Sequence, residues 1–233
     1  MEQTLRITNV LSDPTRYYIY QYISKQHQEV TVQEIADGFN IHPNVARLHL
    51  SKLEDVNMLV SETKKTGKGG RPSRYYRLSD NVIQLHFPYR DYQLLAKVAI
   101  QTMLSLGEEG KKALYMTGKK FGTEKIEQEI AKTSQNGESL DFEQKLNILK
   151  NAAIIAGFNP EFEVNEEKTK IYFQIFNCPF KEIAITNTKI VCGMHYEFLK
   201  GMFETLFDSV EFVEKENMFN GCLACAYQAF VTN

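Results

Sequence analysis

The first ninety residues of this 233-residue chain contain no cysteine, and all four thiols, Cys178, Cys192, Cys222 and Cys225, fall in its last third. The N-terminus, MEQTLRITNVL, lacks the basic start and long apolar run of a signal peptide. No stretch approaches the ~18 consecutive apolar residues of a membrane span. These absences predict a cytoplasmic protein with no membrane partner, where four thiols serve as buried hydrophobes, metal ligands or redox groups rather than as cross-links. No G-x-x-x-x-G-K-[ST] occurs, so the glycines near residue 70 do not form a nucleotide-binding loop. No thioredoxin-like strand-loop-helix surrounds Cys222-x-x-Cys225. For a cysteine nucleophile only His195 offers itself as a base, so neither an enzyme nor a small-molecule substrate is expected.

What is present divides by charge. Residues 1–90 carry twelve Lys/Arg against nine Asp/Glu, and residues 91–233 carry fifteen against twenty. A mildly basic first part and an acidic remainder fit one surface turned to a polyanion and another turned elsewhere. The overall composition, 43% hydrophobic and 24% charged, is that of a globular protein with a real core.

From Leu5 to Ile23 apolar residues recur at helical spacing, broken at Ser12-Asp13-Pro14, where a capping side chain and a proline signal a new helix. Thr31-Val-Gln-Glu34 reads as a capping box opening a short helix that stops near Asp37-Gly38. His42-Pro43-Asn44 opens another helix, extending to about Val56. Two short helices joined by a tight turn form a helix-turn-helix. On a helical wheel Ala46, Leu50 and Leu53 face the core. Asn44, Leu48, Ser51 and Lys52 fall on or near the opposite side, with Arg47 at its flank. There Leu48 can meet a thymine methyl, while the polar residues supply base-edge and phosphate contacts.

Met58–Ser61 and Tyr75–Leu78 are short β-type runs joined by a Gly-rich tip, a hairpin. Between Lys64 and Arg77 stand six cations (Lys64, Lys65, Lys68, Arg71, Arg74, Arg77) and no carboxylate. That bias calls for a partner, and DNA phosphates are the natural one. Lys64, Lys65, Lys68, Arg71 and Arg74 join the recognition-helix residues as candidate contacts to a double-stranded DNA operator.

Asp13-Pro14-Thr15-Arg16, His42-Pro43-Asn44 with Arg47 and His49-Leu50, and Gly70-Arg71-Pro72 with Tyr76 and Leu78 resemble the winged-helix part of ArsR-like repressors. Among these they are most similar to the SufR iron–sulfur-sensing repressors. The motifs cover most of residues 10–80. One departure is Asn57-Met58, where Ala-Gly is usual, which assigns the helix C-cap to Asn57.

Beyond a linker from Leu78 to Tyr89, residues 91–106 read as a helix whose apolar face (Leu94, Leu95, Val98, Ala99, Met103, Leu106) serves a homodimer or an ordinary core. Two half-sites on an operator call for a dimer. Helices are expected at 108–132 and 139–156, strands at Glu161–Asn165 and Lys170–Phe176, and a helix over Val191–Phe207. Strands near Ser209–Val213 and Leu223–Val231 complete the chain. The expected architecture is α+β: a winged helix-turn-helix over residues 1–80, a linker and possible dimerisation helix over 81–106, and an α+β sensor domain with a small antiparallel sheet over 107–233.

Cys222-x-x-Cys225 alone fits zinc, an iron–sulfur cluster or a redox pair. The resemblance to SufR implies more. Asn177-Cys178-Pro179-Phe180, Val191-Cys192 and Cys225-Ala226-Tyr227 look like that family's sensor pattern, in which three cysteines hold an iron–sulfur cluster, [4Fe-4S] or [2Fe-2S]. Cys178, Cys192 and Cys225 are then the ligands. Cys222, or His195 one helical turn after Cys192, competes for the fourth place, and zinc on the same residues is the alternative.

Overall fold

A computed structural model describes residues 2–64, 72–133 and 140–232. Contacts divide the chain into two units, Met1–Arg90 and Asp91–Asn233. Among the described residues no helix is long and apolar enough to cross a membrane.

The first unit begins with α1 (Glu2–Leu11) and α2 (Pro14–Lys25). Asp13 starts α2 by accepting the Arg16 N–H at 3.0 Å, with proline in the first turn. After β1 (Val30–Thr31), Thr31 and Glu34 form the expected reciprocal capping box on α3 (Val32–Phe39). Helix α3 ends on Asn40 in the left-handed region. Helix α4 (Pro43–Glu54) follows, its first turn capped by His42, whose Nδ1 accepts the Asn44 N–H. Its C-cap is Asp55 rather than Asn57. Asn57 lies two residues on, at φ 60°, where it turns the chain toward the wing. Strands β2 (Leu59–Lys64) and β3 (Ser73–Leu78) form the hairpin, and β1 adds to β3, giving the antiparallel order β1-β3-β2. Ile19, Ile23, Ile35, Ala46, Leu50, Leu53 and Tyr76 are sealed into one core.

The second unit contains α5 (Tyr92–Ser105), α6 (Gly107–Thr133), α7 (Phe142–Ile155), β4 (Pro160–Val164), β5 (Lys170–Ile175), α8 (Lys181–Leu206), β6 (Ser209–Glu216) and β7 (Cys225–Thr232). The strands make one antiparallel sheet in the order β4-β5-β7-β6. Phe173, Phe203, Phe158, Ile126 and Leu149 fill the core against it. Helix α8 begins ten residues earlier than the sequence pattern indicates and bends at Asn187 (φ −140°, ψ 42°). Helices α6 and α8 touch closely: a Cβ on Gly122 would lie 1.9 Å from the Phe198 carbonyl oxygen, which only glycine avoids. The boundary at Arg90 assigns α5 to this second unit, and α5 buries none of its residues.

Candidate nucleic-acid interface and thiol cluster

Helix α4 has the two faces the wheel predicts. Ala46, Leu50 and Leu53 are fully buried, while Leu48 is 56% exposed. Asn44 and Arg47 lie together on the open side, where the Arg47 guanidinium donates to Asn44 Oδ1 at 3.0 Å. Ser51 is half-buried, and exposed Lys52 faces Asp55 at 3.7 Å. His49 falls on the buried side, its Nδ1 4.0 Å from the Asp13 carboxylate. Burial lowers its pKa, with Asp13 opposing.

The wing departs from the simple picture of unpaired cations. Carboxylates both distant and close in sequence reach its base. Arg74 donates to both oxygens of Glu54 at 2.9 and 2.8 Å and to the Ser61 hydroxyl at 2.7 Å. Lys64 pairs with Glu29, and Arg77 with Asp80 at 3.2 Å. Lys65, Lys68 and Arg71 lie outside the described residues.

The cysteines come from three regions of the second unit. Cys178 follows β5 in the turn that leads into α8, and is 6% exposed. Cys192 lies inside α8 rather than opening it, because the helix starts at Lys181. Cys225 begins β7, where its partner in β5 is Ile175, and is 4% exposed. Cys222 is half-buried in the turn before β7.

Burial is the main influence on three of these thiols. It pushes Cys178 up to about 12, against the Phe180 N–H, and the neighbouring Cys225 and Cys192 add to the rise. Cys192 is raised by burial, with Asn217 hydrogen bonding against it and the Glu214 carboxylate adding to it. Cys225 is also raised by burial; the Met218 N–H, donating to its sulfur at 3.4 Å, opposes this, while Cys192 and Glu214 reinforce it. Tyr227 is pushed far above the usual phenol range by burial first, then by Cys225, Glu214, Cys192 and Cys178. Cys178, Cys192 and Cys225 thus share one electrostatic neighbourhood. Cys222 is not among the groups acting on them.

Two members of this neighbourhood escape the sequence reading. Glu214 and Asn217, at and just after the end of β6, are tied by the Asn217 amide at 3.4 Å. An alternating polar strand looks solvated, and the one clue is that Glu214-x-x-Asn217 closely precedes the Cys222-x-x-Cys225 turn. His195 is 3% exposed, its Nδ1 3.9 Å from Cys178 Sγ. Burial lowers its pKa to about 4, so it is neutral at pH 7.

Among the described residues no three His, Cys, Asp or Glu side chains are gathered closely enough to grip one ion. Binding therefore requires the side chains to close in from the positions they hold here. The donor set suits a soft or borderline metal: three thiols and a buried imidazole whose Nδ1 faces the Cys178 sulfur.

Residues 11–62 match a family model described as a helix-turn-helix domain. The first unit therefore carries a helix-turn-helix domain, the kind of module that binds DNA. No curated protein matches the sequence. Two solved structures are similar in part. One is the phenol-responsive sensory domain of the transcription activator PoxR with phenol, at 17% identity over 79% of this chain and 89% of that one, TM-score 0.44. The other is a trafficking protein particle complex subunit 3 from Naegleria fowleri, covalently bound to palmitic acid. It has 16% identity over 60% of this chain and 97% of that one, TM-score 0.35.

Proposed function

We propose that this protein is a homodimeric winged-helix repressor controlled by an iron–sulfur cluster on Cys178, Cys192 and Cys225. The observation that carries this reading is the neighbourhood shared by buried Cys178 and Cys225 and half-buried Cys192, from a turn, a strand and a helix, with Cys222 not among the groups that act on them. A cluster bound there would supply a redox- and iron-responsive charge to thiols acted on by neutral and acidic groups. The protein residues hold the thiolates, exclude water and fix the turn at Cys178-Pro179. Asn44, Arg47, Leu48, Ser51 and Lys52 would read the operator, with the wing cations on its phosphates. The exposed apolar side chains Leu94, Leu95 and Val98 of α5 support a second copy as the partner, as two operator half-sites require.

Anaerobic purification with a visible spectrum and metal and sulfide analysis tests this. A brown protein with matched iron and sulfide is the expected result. A colourless protein with bound zinc overturns the cluster and favours a second reading, a zinc-controlled regulator. Glu214 supports that alternative, since it adds an oxygen donor beside Cys192 and Cys225, and zinc accepts mixed sulfur, nitrogen and oxygen sets.

A further inference from the structure

The second unit buries an imidazole that its own fold leaves half used. His195 follows Cys192 by one turn of α8 and is walled by Phe158, Phe180 and Phe198, with ring centroids 5.1, 5.1 and 6.4 Å away. Its Nε2 has no hydrogen-bond partner, and its Nδ1 faces the Cys178 sulfur. Buried polar atoms are nearly always partnered, so the exception needs an explanation.

The tautomer supplies the first step. A neutral imidazole has one N–H and one bare nitrogen. Nε2 has no protein partner, while Nδ1 is the ring nitrogen that faces the Cys178 sulfur. With the hydrogen on Nε2, the Nδ1 lone pair is turned toward Cys178, the form in which this nitrogen can bind a metal.

Distance supplies the second. A thiol is a weak donor, and 3.9 Å is a long reach for it. Two ligands of one tetrahedral ion, with bonds of about 2.3 Å to sulfur and about 2.0 Å to nitrogen, stand about 3.5 Å apart. The Cys178–His195 pair is a few tenths of an ångström from that spacing before any ion arrives.

The rivals for the fourth place have less need of a metal. Glu214 is exposed, where water solvates its carboxylate, and Asn217 already holds it. Cys222 is half-buried in the turn before β7 and is not among the groups that act on the other three thiols.

We propose that Nδ1 of His195 is the fourth protein ligand and binds the same metal ion as Cys178, giving a set of three cysteines and one histidine. This rests on the preceding reading that the cysteines bind metal, and it narrows it. A cubane takes one protein ligand per iron, so two ligands on one ion point to a two-iron cluster, with Cys192 and Cys225 on the second iron, or to a single zinc.

The test uses the full-length protein, purified anaerobically with whatever metal it carries. X-ray absorption at the edge of that metal reads an imidazole by its outer-shell scattering. If iron is present, pulsed electron paramagnetic resonance of the reduced protein reads coupling to a ligand nitrogen. The expected result is one imidazole per two irons, or per zinc, that disappears in His195→Cys while the metal is retained. Metal bound through sulfur alone, or sulfur and oxygen, overturns the assignment and leaves the preceding reading standing. An imidazole signal that survives in His195→Cys overturns it too. Protein that carries no metal overturns both. The wild-type spectrum decides by itself even if the variant fails to fold.

Discussion

Each unit buries a histidine, and the company the two keep is different. His49 lies beside the Asp13 carboxylate and near Arg16, in a knot that also caps α2. His195 has aromatic walls and a thiol. The contrast extends beyond the histidines. In the first unit charged side chains are matched within the protein: Arg16 with Asp13, Arg74 with Glu54, Lys64 with Glu29. What it turns outward is a helix face with one exposed leucine. Around the thiols of the second unit, the groups that act on one another are all neutral or negative. An incoming cation is what such a neighbourhood lacks. One unit matches its charges within the fold; the other leaves its thiols among groups that are neutral or acidic.

The sharpest way to test the first half of that contrast is to compare the two faces of α4. Leu50→Ala should cost about 2–5 kcal/mol of stability, because it opens a cavity in a sealed core. Leu48→Ala should stay within about 0.5 kcal/mol in stability and weaken operator binding instead. Denaturant melts and fluorescence anisotropy on the same two variants separate these outcomes. Comparable destabilisation by both would mean that Leu48 is not on an open face.

The second half predicts unequal cysteines. Cys178→Ser, Cys192→Ser or Cys225→Ser should abolish metal retention and shift operator affinity roughly 5–150-fold, the range of a coupling of ~1–3 kcal/mol. Cys222→Ser should leave metal content unchanged. Anaerobic metal analysis of the four variants side by side checks this, and equal losses would erase the distinction drawn for Cys222.

Smaller effects concern the knot at Asp13. Asp13→Ala should cost about 1 kcal/mol through the lost cap. The Arg16 N–H holds this carboxylate below its ordinary value; burial opposes that, and the charges of His49 and Arg16 assist it. A carboxylate lowered by folding contributes stability above its unfolded pKa of about 3.9, and this is lost as pH falls through the folded value. Stability of the variant should therefore fall less than wild type on acidification through that window, as urea midpoints across it would show.

The smallest effect separates the wing tip from the wing base. Removing Lys68 or Arg71 should reduce the salt dependence of DNA binding by about one unit each if they contact phosphate. Arg74→Ala should change that slope less, because its charge is already shared with Glu54, a half-exposed pair worth at most about 1 kcal/mol. Equal slopes for all three would return Arg74 to the phosphate contacts.

The helix-turn-helix was legible because its punctuation is local: Asp13-Pro14, the Thr31–Glu34 box and His42-Pro43 each fix a helix start within four residues. The β4–β5 hairpin and helices α5 to α7 were legible for a similar reason, in periodicity. Other features depend on the tertiary structure. Strand β1 has two residues, too few for any period. The early part of α8 is hidden by the polar Thr186-Asn187-Thr188 at its bend. Burial of His49 and His195 follows from what packs over them, and the match of Arg74 with Glu54 spans twenty residues. At the thiols the sequence resemblance already grouped Cys178, Cys192 and Cys225 and left the fourth place open. What it left hidden is the register of β7 on β5, which pairs Cys225 with Ile175.

That register has a thermodynamic consequence. Cys225 pairs with Ile175, three residues before Cys178, so strand register brings together thiols from the two ends of this unit's final segment. Closing a chain into a loop carries an entropic penalty that grows with the logarithm of its length. Here folding of the sheet has met that penalty before any metal could arrive. If these thiols bind a metal as proposed, the free energy of binding is set by local movement of side chains and loss of thiol protons.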